Sequence, residues 1–434
     1  MTVRFLHAAD IHLDSPMRNL QRYEGAPYEQ VRLAARQALT RVVDAAIERR
    51  VDFMIIAGDL YDGTWRDVNT GLYFVREATR LREAGIPLYF ITGNHDEQST
   101  ITSSLRLPKN VDGTSMMLSR ERPQTITLDD LGIAIHGRGF GQRAEQQNLA
   151  ATYPAPTRGY FNIGVLHTSL MGSGSHNSYA PCTPAQLAAH GYQYWALGHI
   201  HQRGEHQQPD ESPIVFPGNI QGRDAGELGP KGAILVETGG DQCRRTFLPF
   251  DVVRWLLAEV DASQCKHLDD FYLHFEQQLN RIQSEHPEQP LIIRCRVRGT
   301  TPLHRDLHVQ RETLQEQLRQ AAVVQSAGQV WMEQIQLQTS APSDRTHPPD
   351  DGPALALSEV IAELRSSHPS GAPTDTAWEP IIESLRELRD RLPARLKEPP
   401  YGLKLDDQAW LAELLPEVEP LLLEQLDQSF DVER

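Results

Sequence analysis

Five short segments of the chain end in side chains that bind divalent metals. In order they are "DIH" with Asp10 and His12, "GDLYD" with Asp59 and Asp62, "GNHD" with Asn94, His95 and Asp96, "LHTSL" with His167, and "GHIH" with His199 and His201. Hydrolysing a phosphodiester near neutral pH calls for two divalent cations about 3.5–4 Å apart, which lower the pKa of a bridging water and offset charge in the transition state. Such a pair needs a bridging carboxylate and mixed His, Asn and Asp ligands, a set that suits Mn, Fe or Zn better than an all-oxygen Mg site. A single D-x-H or G-x-H tripeptide occurs by chance in many chains, and a lone histidine at a strand end is more often a hydrogen-bonded structural residue. Five such motifs in succession, each closing an apolar run, are a specific constellation.

Bringing them together requires strands that end at one edge. The runs "VRFLHAAD", "VDFMIIAGD" and "IPLYFITGN" read as buried strands, and Tyr28–Arg50 and Asp67–Ala84 carry helical spacing between them, the βαβαβ rhythm. Further strands are expected at "GIAIHGRGF", "FNIGVLHTSL", "YWALGHIHQ", "PIVFPGNI" and "GAILVE". Few helices separate these, so more antiparallel pairing is expected there. Ligands in open α/β sheets collect at the carboxyl ends of strands. On a strand, residues i and i+2 share a face, so His199 and His201 can converge while Ile200 anchors in the core. His206 lies beyond and is expected to face solvent.

After residue 250 the texture changes. Strands at 252–260, 291–297 and 330–337, with helices near 268–284 and 311–322, read as a small α+β module over residues 251–338. Residues 339–353 are rich in Pro, Ser and Asp and read as a linker. From 354 to 434 helical spacing returns at Trp378, Ile381, Leu385 and Leu392, at Trp410, Leu411, Leu414 and Leu415, and at Val418, Leu422 and Leu426, with Pro416 breaking or kinking the last helix.

The net charge of −16 argues against a protein that coats nucleic acid by bulk electrostatics. Residues 341–434, however, hold 20 acidic against 9 basic side chains, so the remainder is only mildly acidic and has room for a local basic track. Four widely spaced cysteines form no CxxC pair, and no membrane-spanning apolar run or signal-type h-region is evident. A reduced, cytoplasmic protein is expected.

Over residues 1–250 the segments "FLHAADIHLDSP", "AGDLYDG", "TGNHD", "LHTSL" followed by "YAPC", and "LGHIHQR" resemble the calcineurin-like metallophosphoesterases, and within them the SbcD-type and especially YhaO-type DNA-repair exonucleases. The resemblance implies an α/β fold: a mixed-sheet sandwich flanked by helices, followed by an α+β capping domain and a helical C-terminal tail. It implies one metal on Asp10, His12, Asp59 and His201, and another on Asp59, Asn94, His167 and His199, with manganese first and iron or zinc as alternatives. His95 would face the scissile phosphate as an acid or charge stabiliser, with Asp96 orienting it. Some members carry a second His at the position of Asp62, leaving Asp62 here as a supporting acceptor.

The same resemblance implies a DNA exonuclease whose C-terminal helices dock on an SbcC-like or YhaN-like coiled-coil ABC ATPase, with homodimerisation through the nuclease domain. Cyclic-nucleotide or small-molecule phosphodiesterase activity is the alternative within the superfamily, and a non-catalytic metal-binding scaffold the alternative outside it. A phosphoprotein phosphatase is disfavoured because no Arg follows Asp59 closely and the motif reads "GNHD", not GNHE. His7 could support a ligand or be a satisfied buried histidine. Asp14 and Ser15 could cap the next turn. His176 and Asn177, in a Gly/Ser-rich stretch, could touch substrate or lie on a surface loop.

Overall fold

The computed structural model describes residues 2–15, 27–62, 68–97, 107–142, 144–170, 179–206, 212–239, 242–342, 353–366, 378–392, 403–415, 418 and 422. The chain divides into two compact units. One comprises Met1–Leu257, His286–Arg294 and Ser326–Glu333, the other Ala258–Glu285, Cys295–Gln325 and Gln334–Arg434.

The first unit opens with the expected alternation: β1 (Val3–Ala8), α1 (Tyr28–Glu48), β2 (Phe53–Ala57), α2 (Val68–Glu83) and β3 (Leu88–Ile91), followed by a one-turn helix α3 (Asn94–Glu97). Then come β4 (Gln124–Leu128), β5 (Ile133–Gly137), β6 (Phe161–His167), the short helix α4 (Pro184–Ala188), β7 (Tyr194–Gly198), β8 (Gly204–His206), β9 (Ile214–Phe216), β10 (Gly232–Gly239) and β11 (Gln242–Pro249). They form a five-stranded sheet, order β11-β10-β1-β2-β3, and a six-stranded sheet, order β4-β5-β6-β7-β9-β8.

Period-2 alternation builds the layers. Phe5, Phe53, Ile55, Tyr89 and Ile91 of the first sheet share one core with Ile135, Ile163, Val165, Tyr194 and Ala196 of the second. The intervening Leu6, Met54, Ile56, Leu88 and Phe90 pack against Leu39, Val42 and Phe74 of α1 and α2. Leu166, Trp195, Leu197 and Phe216 back onto Leu149, Tyr153 and Leu187. The result is a two-sheet sandwich with both outer faces covered.

The later strands hold more antiparallel pairs than the first set, as the scarcity of helices between them led one to expect, but the middle of the second sheet is parallel. Within the second sheet β5-β6, β6-β7 and β7-β9 are parallel and the edge pairs β4-β5 and β8-β9 antiparallel, while β10 pairs antiparallel with both β1 and β11. Among the described residues the crossovers there hold a 3-10 turn at Leu149–Thr152 and the short α4, which carry little periodicity.

A three-stranded sheet follows, order β12-β13-β14, with β12 at Arg254–Asp261, β13 at Leu291–Thr300 and β14 at Val330–Ser340. The second unit holds α5 (Leu268–Glu285), an unanticipated α6 (His304–Val309) and α7 (Arg311–Gln325). It also holds α8 (Pro353–Ser366) and α9 (Glu379–Arg391), both in the stretch expected to be helical. Leu364, Trp378 and Leu411 of the tail form a small apolar cluster with Ile381, Ile382 and Leu385 packed on it. Pro416 and Leu426 lie outside the described residues.

Candidate metal centre

All the strand-end motifs belong to the first unit, and the structure gathers them. As the chain leaves β1 and β2 the two following loops run side by side: Asp10 N–H donates to Gly58 O at 3.1 Å, His12 N–H to Asp59 O at 3.0 Å and Leu13 N–H to Leu60 O at 3.0 Å. Asp10, His12, Asp59 and His199 all have positive φ, at 51°, 45°, 52° and 102°. For non-glycine residues such conformations cost about 1–3 kcal/mol each, and their clustering marks a functional site. Two glycines make the close approach feasible. A Cβ on Gly58, whose φ is +93°, would strike the His167 ring, and one on Gly93 would strike the Asp59 carboxylate.

Hydrogen-bond partners assign the tautomers. His167 Nδ1 lies 2.9 Å from Ala57 O, a pure acceptor, so Nδ1 carries the proton. Its Nε2 then faces two further acceptors, Asn94 Oδ1 at 3.0 Å and Asp59 Oδ2 at 3.3 Å. His201 Nδ1 likewise donates to Glu227 Oε1 at 2.6 Å, and its Nε2 meets His12 Nε2 at 3.1 Å, with Asp59 Oδ2 3.7 Å from the latter. His12 Nδ1 is buried without a hydrogen-bond partner.

Lone pairs and carboxylates that converge in this way repel one another unless a cation lies between them, so the donor set fits divalent metal. Two triads have ligand atoms mutually within 4.8 Å: Asp10, His12 and His201, and Asp59, His167 and His199. His199 and His201 therefore divide between two clusters. His12, Asp62 and His95 form a third such triad. The electrostatics agree with a cation site. Burial opposes charge on His167, but the Asp59 and Asp10 carboxylates outweigh it and push that imidazole up to about 9. Burial also raises the Asp59 carboxyl, yet His167, His12 and His95 together hold it well below the carboxylate range.

His95 lines an open cavity of about 510 Å³ together with Asp59, Asn94, His199 and His201. Its orienting carboxylate is not Asp96. Asp96 is turned back into the loops, where its oxygens accept from Leu60 N at 3.1 Å, Tyr61 N at 2.8 Å and Gly93 N at 3.0 Å. Asp62 is the partner instead, with Oδ1 2.7 Å from His95 Nδ1, and its other oxygen accepts from Ser15 Oγ at 2.5 Å. Burial works against charge on both groups, but their pairing raises the imidazole and lowers the carboxyl.

The remaining candidates sort clearly. His7 is fully buried and bridges to β7, accepting from Tyr194 OH at 3.0 Å and donating to Leu197 O at 3.2 Å, away from the cavity. Asp14 holds Arg36 of α1 in a forked ion pair and accepts from Thr70 of α2, and the turn it was expected to cap lies outside the described residues. His199 and His201 fall after β7, which stops at Gly198, so a loop and not the strand pleat aims them. Ile200 is half-buried and packs against the apolar cluster behind the second sheet, while His206 is exposed on β8. His176 and Asn177 lie outside the described residues. Arg223, Glu227 and Lys231, also on the cavity wall, were not singled out from sequence. The signal for them was the polar, glycine-punctuated stretch "GRDAGELGPKG" between two strands.

A two-sheet sandwich that gathers Asp, Asn and His donors from five loops, with a further histidine poised at the cavity, defines the metal-dependent hydrolases of phosphate esters. The chain belongs to the calcineurin-like metallophosphoesterases: residues 3–203 match the family description "Calcineurin-like phosphoesterase", and residues 255–340 match "Metallophosphoesterase YhaO, middle domain". It is 33% identical over 299 residues to the "Uncharacterized metallophosphoesterase YhaO" of Bacillus subtilis, covering 69% of this chain and 72% of that one. It is 26% identical to the "DNA double-strand break repair protein Mre11" of Methanopyrus kandleri, covering 50% of this chain and 48% of the relative. With the SbcD component of the nuclease SbcCD from Staphylococcus saprophyticus the identity is 24%, over 63% of this chain and 78% of the relative. No helix among the described residues is long and apolar enough to cross a membrane.

Proposed function

We propose that the protein is a manganese-dependent DNA exonuclease that acts in DNA repair with a coiled-coil ABC ATPase. The observation that carries this reading is the pairing of a convergent His, Asp and Asn donor set with His95, a histidine held at the cavity by Asp62 and outside the two ligand triads that share the remaining donors. In this reading Asp10, His12, Asp59 and His201 hold one ion, Asp59, Asn94, His167 and His199 hold the other, and Asp59 is common to both. When bound, such ions supply Lewis acidity that makes water acidic enough to attack phosphorus and offsets charge on the phosphate.

The protein's own groups do the rest. His95 Nδ1–H donates to Asp62, which leaves Nε2 to carry a proton toward the cavity. As water adds to phosphorus and the P–O3′ bond breaks, that proton passes to the departing 3′ oxygen. Asp96 keeps the Asp59 and Asn94 loops in register through its three backbone contacts. The Mre11 and SbcD relatives, named as repair protein and nuclease, support DNA as substrate. Partner docking is supported by the tail, where Val360 and Leu388 are about half exposed on α8 and α9 while their neighbours form an apolar cluster.

Purified protein, Mn²⁺ and end-labelled duplex DNA, with and without the candidate ATPase, test the proposal. Progressive loss of the labelled end is expected. No DNA degradation under either condition, together with turnover of a cyclic nucleotide, overturns it.

A further inference from the structure

The cavity wall between β9 and β10 carries a group of charges outside the two ligand triads. Glu227 is largely buried and sits at the centre. It accepts from His201 Nδ1 at 2.6 Å, Asn219 Nδ2 at 2.7 Å, Arg223 N at 2.8 Å and Arg223 Nη2 at 2.8 Å. A surface turn has no need of so many donors on one carboxylate. These contacts, with a further one from Arg223 Nε at 3.2 Å, hold the carboxylate against the histidine.

Two side chains depend on it. His201 has a half-buried ring whose Nε2 lies 3.1 Å from His12 Nε2, and the Glu227 contact at Nδ1 sets its tautomer. Arg223 Nη2 also lies 3.0 Å from His201 Nδ1. Since Nδ1 cannot both donate to Glu227 and accept from a guanidinium, the shorter carboxylate contact takes the proton and Arg223 is simply packed alongside. Its Nε and Nη2 engage Glu227, and the side chain lines the cavity shared with Asp59, His95 and His201. Arg223 acts electrostatically on His12, His95 and Asp62, so its charge reaches the reacting region. A guanidinium so held is suited to an anionic phosphate oxygen, because its geometry is already organised and little rotamer entropy is lost on contact.

We propose that Glu227 is a positioning residue with two charges in its grip: it orients His201 toward the metal ion and holds Arg223 as the contact for a phosphate oxygen of the substrate. The Arg223 half rests on the phosphodiesterase reading of the site; the His201 half does not. A carboxylate behind a ligating histidine fixes the ring and raises its basicity, and loss of such a partner typically weakens metal binding by about 10–100-fold.

The test uses the full chain and its Glu227→Gln, Glu227→Ala and Arg223→Ala variants. Mn²⁺ occupancy is read by equilibrium dialysis with elemental analysis, thermal unfolding is followed without metal, and KM and kcat are measured on a single-stranded oligonucleotide. Glu227→Ala should raise the Mn²⁺ concentration for half-occupancy by about 10–100-fold, with Glu227→Gln in between. Arg223→Ala should keep wild-type occupancy and raise KM about tenfold or more with a smaller change in kcat. Wild-type occupancy in Glu227→Ala, with only the unfolding temperature lowered, shows a merely structural carboxylate and overturns the first half. Unchanged KM in Arg223→Ala overturns the second.

If neither Glu227 variant folds, ¹⁵N correlation of the His201 ring in the zinc-loaded wild type decides. A protonated Nδ1 supports the proposal and an unprotonated Nδ1 overturns it. If the wild type cleaves no phosphodiester, the proposed function fails, and the dialysis comparison still reads the role of Glu227.

Discussion

Replacing Asp62 with Asn tests the mechanism at the point where structure and motif disagree. The change keeps the side-chain shape but removes the charge that faces His95 Nδ1 at 2.7 Å. A hydrogen bond to a charged group contributes about 1.5–3 kcal/mol, and because the His95 side chain is 37% exposed, the lower part of that range applies. A loss of about 1.5–2 kcal/mol of transition-state stabilisation is about a tenfold to thirtyfold fall in kcat. His95→Asn, which removes the acid itself, should cost about 10²–10⁴-fold.

The double variant is the decisive arm. If Asp62 acts only through His95, Asp62→Asn added to His95→Asn should cost less than about threefold more, because residues acting as a unit are non-additive. Single-turnover cleavage of labelled DNA in Mn²⁺ with parallel metal analysis is the assay, and all three variants should keep the wild-type metal content. Independent, multiplicative losses would refute the positioning role. Loss of one metal equivalent in Asp62→Asn would show instead that the His12, Asp62 and His95 triad holds an ion.

Other consequences follow from the same geometry. Gly58→Ala places a methyl group on the His167 ring at a φ of +93°, so it should lower stability by about 1–3 kcal/mol and reduce metal content, read by thermal unfolding and elemental analysis. Asp96→Ala leaves three backbone N–H groups without their acceptor; it should destabilise the chain by about 2–4 kcal/mol and impair activity through lost metal, so excess Mn²⁺ should restore part of the rate. Burial, against the weaker pull of Leu197 O, depresses His7 from 6.5 to about 3, so the unfolded chain binds the extra proton between those values. The stability tied to neutral His7 is therefore complete above about pH 6.5 and lost as pH falls, by about 2 kcal/mol at pH 5. Urea unfolding of wild type and His7→Gln between pH 5 and 7 should show the shallower pH slope in the variant, and equal slopes would contradict the assignment.

Much of the site was legible because metal chemistry permits few residue types and strand ends are well marked by apolar runs. Asp10, His12, Asp59, Asn94, His167, His199 and His201 converge as their motifs implied. Legibility stopped where contacts depend on loop geometry. The sequence neighbour Asp96 was a reasonable partner for His95, yet one turn of helix points it back at the backbone, and Asp62, three residues after Asp59, fills the role. Alternation led one to expect His199 and His201 to converge on a strand, yet β7 ends at Gly198 and a loop carries them to different triads, a division that only the resemblance had implied. Glu227 and Arg223 carry no recognisable spacing, because their significance lies in meeting His201 across 26 and 22 residues. In the second sheet, parallel pairing was hidden because the described parts of the crossovers hold only short helical turns.

Anomalous scattering at the manganese edge from crystals of the Mn²⁺-loaded protein addresses the central claim most directly. The account predicts two peaks, one among Asp10, His12, Asp59 and His201 and one among Asp59, Asn94, His167 and His199, with His95 bonded to Asp62 and to neither ion. A single peak, or a peak bound by His12, Asp62 and His95, would contradict it.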